Sequence, residues 1–254
     1  MPTLLLVRHG RTTANASGVL AGWTPGVGLD DTGRTQAHDL GRRLAELPIQ
    51  RWVSSPLQRC QETIAALIEE HTVAPAPKPR AGRAAKTPAP QPEVLTEDRL
   101  GEQRYGDWTG RPLRELVKEP LWRVVQSHPS AVTFPGPEGE SMPAMQARAV
   151  AAVHDHDAAV LAEHGPDALW VALSHGDVIK AVLADALGMH LDSFQRIVVE
   201  PASLSVISYT PLRPFVVRMN DISGEVASLR PPKRRRRKAG SDAVVGGQTG
   251  NGQR

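Results

Sequence analysis

The sequence has little with which to brace itself covalently or to enter a membrane. It holds one cysteine, Cys60, among 254 residues, which excludes an internal disulfide framework and fits a reducing cytoplasm. No apolar run approaches eighteen residues, so neither a membrane-spanning helix nor a membrane partner is expected. The first residues show no charged n-region and no cleavage site, so no signal peptide is expected. Metal-ligand spacing is also missing. His154 and His156 lie two apart in a helical pattern and so do not share a face, and His38, His71, His128, His164 and His190 show no ligand spacing. No resident metal or cofactor is expected.

Acid is scarce where base is dense. Residues 231–254 carry seven Lys and Arg against Asp242, a net of +6, although the whole chain stands at only +3. The remainder is therefore acidic at −3, and a second basic stretch at 74–93 leaves the rest near −6. The run Lys233–Lys238 has no interleaved aromatics. That suits a solubilising tail better than a nucleic-acid contact, so nucleic acid is not an expected partner. Residues 74–93 include six prolines, which forbid a regular helix or strand. The expected organisation is one domain over 1–230 with an exposed insertion at 74–93, followed by a disordered tail at 231–254. Oligomeric state stays open, with a homodimer allowed.

Strand and helix signals alternate through the rest. Strands are predicted over 3–7, 52–54, 168–174, 204–209 and 215–219. Helices are predicted over 31–47, 57–71, 141–164 and 177–187, with Asp30, Asp31 or Thr32 capping the first and Ser141 the third. Such alternation predicts an α/β class, a three-layer α/β/α sandwich around a mostly parallel sheet.

Three predicted strand ends carry the same chemistry. Thr3–Val7 runs into Arg8-His9-Gly10. Ser54-Ser55-Pro56-Leu57-Gln58-Arg59 breaks from a strand into a helix with an arginine in its first turn. Ser174-His175-Gly176 ends a strand and opens a helix. Ligands of open α/β sheets bind beyond the carboxyl ends of strands, and helix N-termini favour anions. Arginine supplies a planar fork for phosphate oxygens, and Gly10 allows a sharp turn. A glycine-punctuated segment, Leu100–Gly110, opens with Glu102.

These pieces, in this order, resemble the histidine phosphatase superfamily, in its phosphoglycerate-mutase-like branch. Arg8, His9, Gly10, Thr12 and Asn15 match its N-terminal signature. Leu29, Thr32, Gly33, Gln36 and Ala37 look like its first helix start, and SSPLQRCQET like its second-arginine segment. Glu102 with YGDWTG looks like its acid loop, Pro137–Ser141 like its Gly-Gly-Glu-Ser helix start with Glu138 in place of the first glycine, and LSHGDVIKAVL like its second-histidine segment. Residues 119–126 look closest to actinobacterial phosphomutase-like acid phosphatases.

The resemblance implies a metal-independent phosphomonoesterase acting on a small phosphorylated metabolite. His9 would attack phosphorus as a neutral imidazole and become a phosphohistidine. Arg8, Arg59 and His175 would stabilise the transferring oxygens. Glu102 would protonate the departing alcohol and later activate water, at mildly acidic to neutral pH. Gly10, Thr12, Asn15, Gly22, Trp23 and Gly176 join Arg8 and Arg59 as expected substrate-binding positions. Asp107 and Glu140 are alternative carboxylates. Trp108 is a second candidate for the mouth, and Arg104, Arg111 and Arg114 are candidate grips for a substrate carboxylate. Two other functions fit less of the sequence: a phosphomutase of the phosphoglycerate mutase type, and a non-catalytic phospholigand-binding adaptor, which needs neither nucleophile nor acid.

Overall fold

The computed structural model describes residues 2–73 and 92–223. Most of the predicted insertion and all of the predicted tail therefore lie outside the described residues.

Six strands form one sheet: β1 (Thr3–Arg8), β2 (Ile49–Ser54), β3 (Val94–Thr96), β4 (Leu169–Ser174), β5 (Leu204–Tyr209) and β6 (Pro214–Asp221). Their spatial order is β3-β2-β4-β1-β5-β6. The first four run parallel, and β5 and β6 add an antiparallel edge. Alternation along β1 sends Leu4 and Leu6 to one face, and Leu5 and Val7 to the other. Both faces are buried, which is why β1 reads as an unbroken apolar run.

Helices α2 (Asp31–Leu44) and α3 (Gln58–Val73) cover one face through Leu40, Leu44, Ile64 and Leu67. Helices α6 (Met142–His164) and α7 (Gly176–Ala186) cover the other through Met145, Val153, Ile179 and Leu183. The predicted sandwich is thus observed. Asp30 is the residue that caps α2, accepting from Gly33 N at 2.7 Å, and such a cap contributes about 1 kcal/mol. Ser141 caps α6 as expected, accepting from Ala144 N at 3.2 Å.

Several boundaries differ. Helix α2 stops at Leu44 because the chain tightens into a turn, with Leu47 N bonding Leu44 O at 3.0 Å. Leu47 still packs on the core, which is why it fell in the helical pattern. Strand β2 starts at Ile49 rather than Trp52, since it pairs with β4 before it is fully buried. Short elements that periodicity cannot resolve fill the loops: α1 (Thr13–Ser17), α4 (Leu113–Leu116) and α5 (Pro120–Ser127).

Candidate active site

The register of the parallel strands assembles the site. Arg8 pairs with Ser174 and Ser54 with Leu173, so the segments that leave β1, β4 and β2 emerge side by side. The ladder continues one step beyond the strands: His9 N bonds Ser174 O at 3.1 Å, and Ser55 N bonds Leu173 O at 3.0 Å. His9 and His175 consequently lie with ring centroids 5.2 Å apart and planes tilted by 58°.

Each histidine has a defined tautomer. A carbonyl oxygen only accepts, so His9 Nδ1 carries the hydrogen that it donates to Gly10 O at 2.7 Å. Nε2 of His9 keeps its lone pair. Arg59 Nε only donates, and it donates to His175 Nδ1 at 3.2 Å. The neutral His175 ring therefore carries its hydrogen on Nε2, 2.7 Å from Ser55 Oγ. Burial first, then the charges of Arg59 and Arg8, hold His9 well below the ordinary histidine range. Burial and Arg59 do the same to His175. Both rings are neutral at pH 7.

Arg59 reaches the site from the first turn of α3 and also donates to Gly22 O at 2.9 Å. Arg8 is wholly buried and donates to Val199 O at 2.7 Å. Gly10 is required by close approach: a Cβ there would stand 2.5 Å from Gly33 O. Thr12 caps α1, and the Asn15 Oδ1 accepts from Thr12 N and Oγ1. The Asn15 amide nitrogen is left as its available donor.

Glu102 is 4 % exposed and stands 3.9 Å from His175 Nδ1 through Oε2. Its Oε1 accepts from Gln103 N at 2.9 Å. Burial, then the Asp177 charge, pushes the carboxyl up to about 7, against the opposing pull of Arg59. A small cleft, with about 30 Å³ open to water, is lined by His9, Thr12, Asn15, Gly22, Arg59 and Glu102 together with Tyr105. Ala14, Val19, Leu20, Ala21 and Leu113 supply its apolar lining.

The structure brings most of the expected site residues to this cleft, but not all. Arg8 and His175 stand in contact with the lining residues rather than among them, and Gly176 is the first residue of α7. Trp23 lines a neighbouring groove with Arg104, whose guanidinium lies 4.1 Å above its ring. Trp108 is core instead of mouth, packed on Trp122 and Phe134. Glu140 is bound by Arg148, so it does not compete as the acid, and Asp107 lies against Gly136, outside the cleft lining. His154 packs on Tyr209 and His156 faces Glu97 at 3.1 Å. Burial pushes the Cys60 thiol up to about 12, so it stays a thiol 3.5 Å from His175 Nε2. Sequence reasoning gave no role to Ser55, Asp177 or Arg148. Ser55 was quoted in a motif. Arg148 carries no local signal, being 46 positions from the loop that it holds.

Known proteins resemble this chain in sequence and fold. The family described as histidine phosphatase superfamily (branch 1) matches residues 4–222. A probable phosphoglycerate mutase of Yersinia enterocolitica is 29 % identical over 82 % of this chain and 86 % of its own. Phosphoserine phosphatase 1 of Hydrogenobacter thermophilus is 27 % identical over 87 % and 92 %. A fructose-2,6-bisphosphatase of Xenopus tropicalis is 31 % identical, and there the match spans 58 % of this chain but 46 % of that protein. A mycobacterial glucosyl-3-phosphoglycerate phosphatase, solved with VO3, superposes with a TM-score of 0.67 at 25 % identity, covering 86 % of this chain and 98 % of its own.

Proposed function

The chain belongs to branch 1 of the histidine phosphatase superfamily, and on that footing we propose that it is a phosphomonoesterase working through a phosphohistidine on His9. The observation that carries this reading is one cleft holding a histidine with a free Nε2 lone pair, an arginine and a carboxyl pushed up to about 7.

The residues divide the work in two half-reactions. In the first, His9 Nε2 attacks phosphorus in line. Arg59 and Arg8 stabilise the charge spread over the equatorial oxygens. Protonated Glu102 gives its proton to the bridging oxygen as the P–O bond breaks, and the neutral alcohol leaves. In the second, the Glu102 carboxylate takes a proton from water, whose oxygen attacks the phosphohistidine. The P–N bond breaks, His9 regains its lone pair, and Glu102 is again protonated. The catalytic positive charge is supplied by guanidinium groups, so turnover is expected in the presence of EDTA.

The substrate is a small phosphorylated metabolite. Phosphoserine phosphatase and phosphoglycerate mutase relatives leave both hydrolysis and transfer open. The wall of the cleft favours hydrolysis. A mutase must grip the carboxylate of its bound intermediate, yet none of the candidate grips Arg104, Arg111 and Arg114 lines the cleft. Arg114 is exposed on α4. A non-catalytic adaptor would need neither the fixed tautomer nor the raised carboxyl.

A cytoplasmic setting belongs to this reading, since a chain with one cysteine makes no use of an oxidising compartment. Localisation of the tagged protein tests it. For the activity itself, para-nitrophenyl phosphate should be hydrolysed in EDTA, and faster than 3-phosphoglycerate is isomerised with a bisphosphoglycerate primer. Faster isomerisation would make the protein a mutase.

A further inference from the structure

Glu102 sits on a loop, not on a strand or helix, and a general acid must be placed to within about an ångström of the leaving oxygen. Side chains from elsewhere in the fold hold this loop: Trp23 Nε1 donates to Glu102 O at 2.7 Å, and one side chain on the far helix holds three of its carbonyls. Arg148 of α6 donates from Nη1 to Arg99 O at 2.6 Å and Gly101 O at 2.8 Å, and from Nη2 to Glu102 O at 3.0 Å. Its remaining two hydrogens go to the Glu140 carboxylate, from Nε at 2.6 Å and from Nη2 at 2.9 Å. All five guanidinium hydrogens are used.

Glu140 completes the clamp from its own side. Its Oε2 accepts from Arg104 N at 3.2 Å, and its backbone oxygen accepts from Gln103 Nε2 at 3.1 Å. The one intervening carbonyl, Leu100 O, accepts from Ser174 Oγ at 2.7 Å, one residue before His175. Four successive carbonyls, 99 to 102, are thus each held by a side chain from elsewhere in the fold. Leu100 to Gln103 are buried, so these carbonyls have no water to bond and depend on such partners. The arrangement fixes the one segment whose position decides proton transfer.

We propose that Arg148, oriented by Glu140, is the positioning residue for the Glu102 acid. It touches neither substrate nor the reacting atoms and acts through the backbone of residues 99–102. The proposal rests on the reading of Glu102 as the proton donor. A lysine cannot replace the fork, because it presents three donors from a single point.

The test separates positioning from general structural support. Alcohols that leave readily need little protonation, whereas poor leaving groups depend on the acid. kcat/KM, which reports the first transfer, is measured for 2,4-dinitrophenyl, para-nitrophenyl and phenyl phosphate and for an alkyl phosphate, in the wild-type protein and in E102Q and R148K. E102Q should lose about a hundredfold or more on the alkyl ester and far less on the dinitrophenyl ester. R148K should show the same steepening, about tenfold from one end of the series to the other. If R148K does not fold, E140Q weakens the same clamp and should steepen the same plot. Equal losses across the series, or none, in a folded clamp variant beside a steep E102Q would overturn the proposal alone. A flat E102Q series would overturn the Glu102 assignment and the proposal with it.

Discussion

Arg59 donates its Nε–H to Nδ1 of His175 across 3.2 Å, so the cation proposed to bind the phosphoryl group also sets the tautomer of the second histidine. The same guanidinium ties down Gly22 O at 2.9 Å. One side chain therefore joins the β4 end to the loop after α1. Arg59→Lys keeps the charge but cannot make both bonds at once. It should lower kcat/KM about a hundredfold on all leaving groups alike, because the interaction lost is with the transferring oxygens. Steady-state kinetics on the aryl phosphate series checks this. A loss confined to poor leaving groups would instead place Arg59 in the proton transfer.

The pH profile follows from two groups with opposite requirements. His9 must be neutral, and burial holds it well below the ordinary histidine range, so activity falls only on strong acidification. Glu102 must be protonated, so kcat/KM should fall as pH rises through about 7. Asp177 is the second cause of that raised value. Its carboxylate accepts from Tyr105 OH at 2.9 Å and lies 3.8 Å from Lys180 Nζ, with the Arg8 charge also nearby. Removing its negative charge lets Glu102 ionise more easily. Asp177→Asn should therefore move the alkaline limb to lower pH, and a shift to higher pH would contradict the assignment.

Gly33 gives the segment after His9 its support. A Cβ at Gly33 would overlap the Arg11 carbonyl oxygen, and backbone cannot swing aside. The contact is close because Asp30 N bonds Arg11 O at 3.0 Å and Arg11 N bonds Gln36 Oε1 at 3.0 Å. Gly33→Ala should destabilise the protein by about 1–3 kcal/mol, the usual range for overpacking. It should also lower kcat, since Gly10 O orients His9. Thermal unfolding beside kinetics measures both, and an unchanged Tm would show that α2 can shift freely.

Much of this site was legible because its parts are local. Each strand end that delivers Arg8, His9, Arg59 or His175 is a short apolar run followed by a turn or helix start, and such runs have a recognisable period. Glu102 was legible from its place in an ordered set of motifs. The sheet order was not, since nothing local says that β4 lies between β2 and β1. Trp108, which its sequence position leaves open between the mouth and the core, stacks with Trp122 inside the core. Arg148 and Ser55 were out of reach because their roles are hydrogen bonds to residues distant in sequence.

In the proposed reaction, phosphorus is passed to His9 and held there covalently. The most direct test is rapid acid-free quenching after mixing with a ³²P-labelled aryl phosphate. The wild-type protein should carry label that is stable to base and released by acid. His9→Ala, still folded, should carry none and hydrolyse nothing. Label that persists in His9→Ala, or a wild-type protein that turns over without ever becoming labelled, would contradict the account.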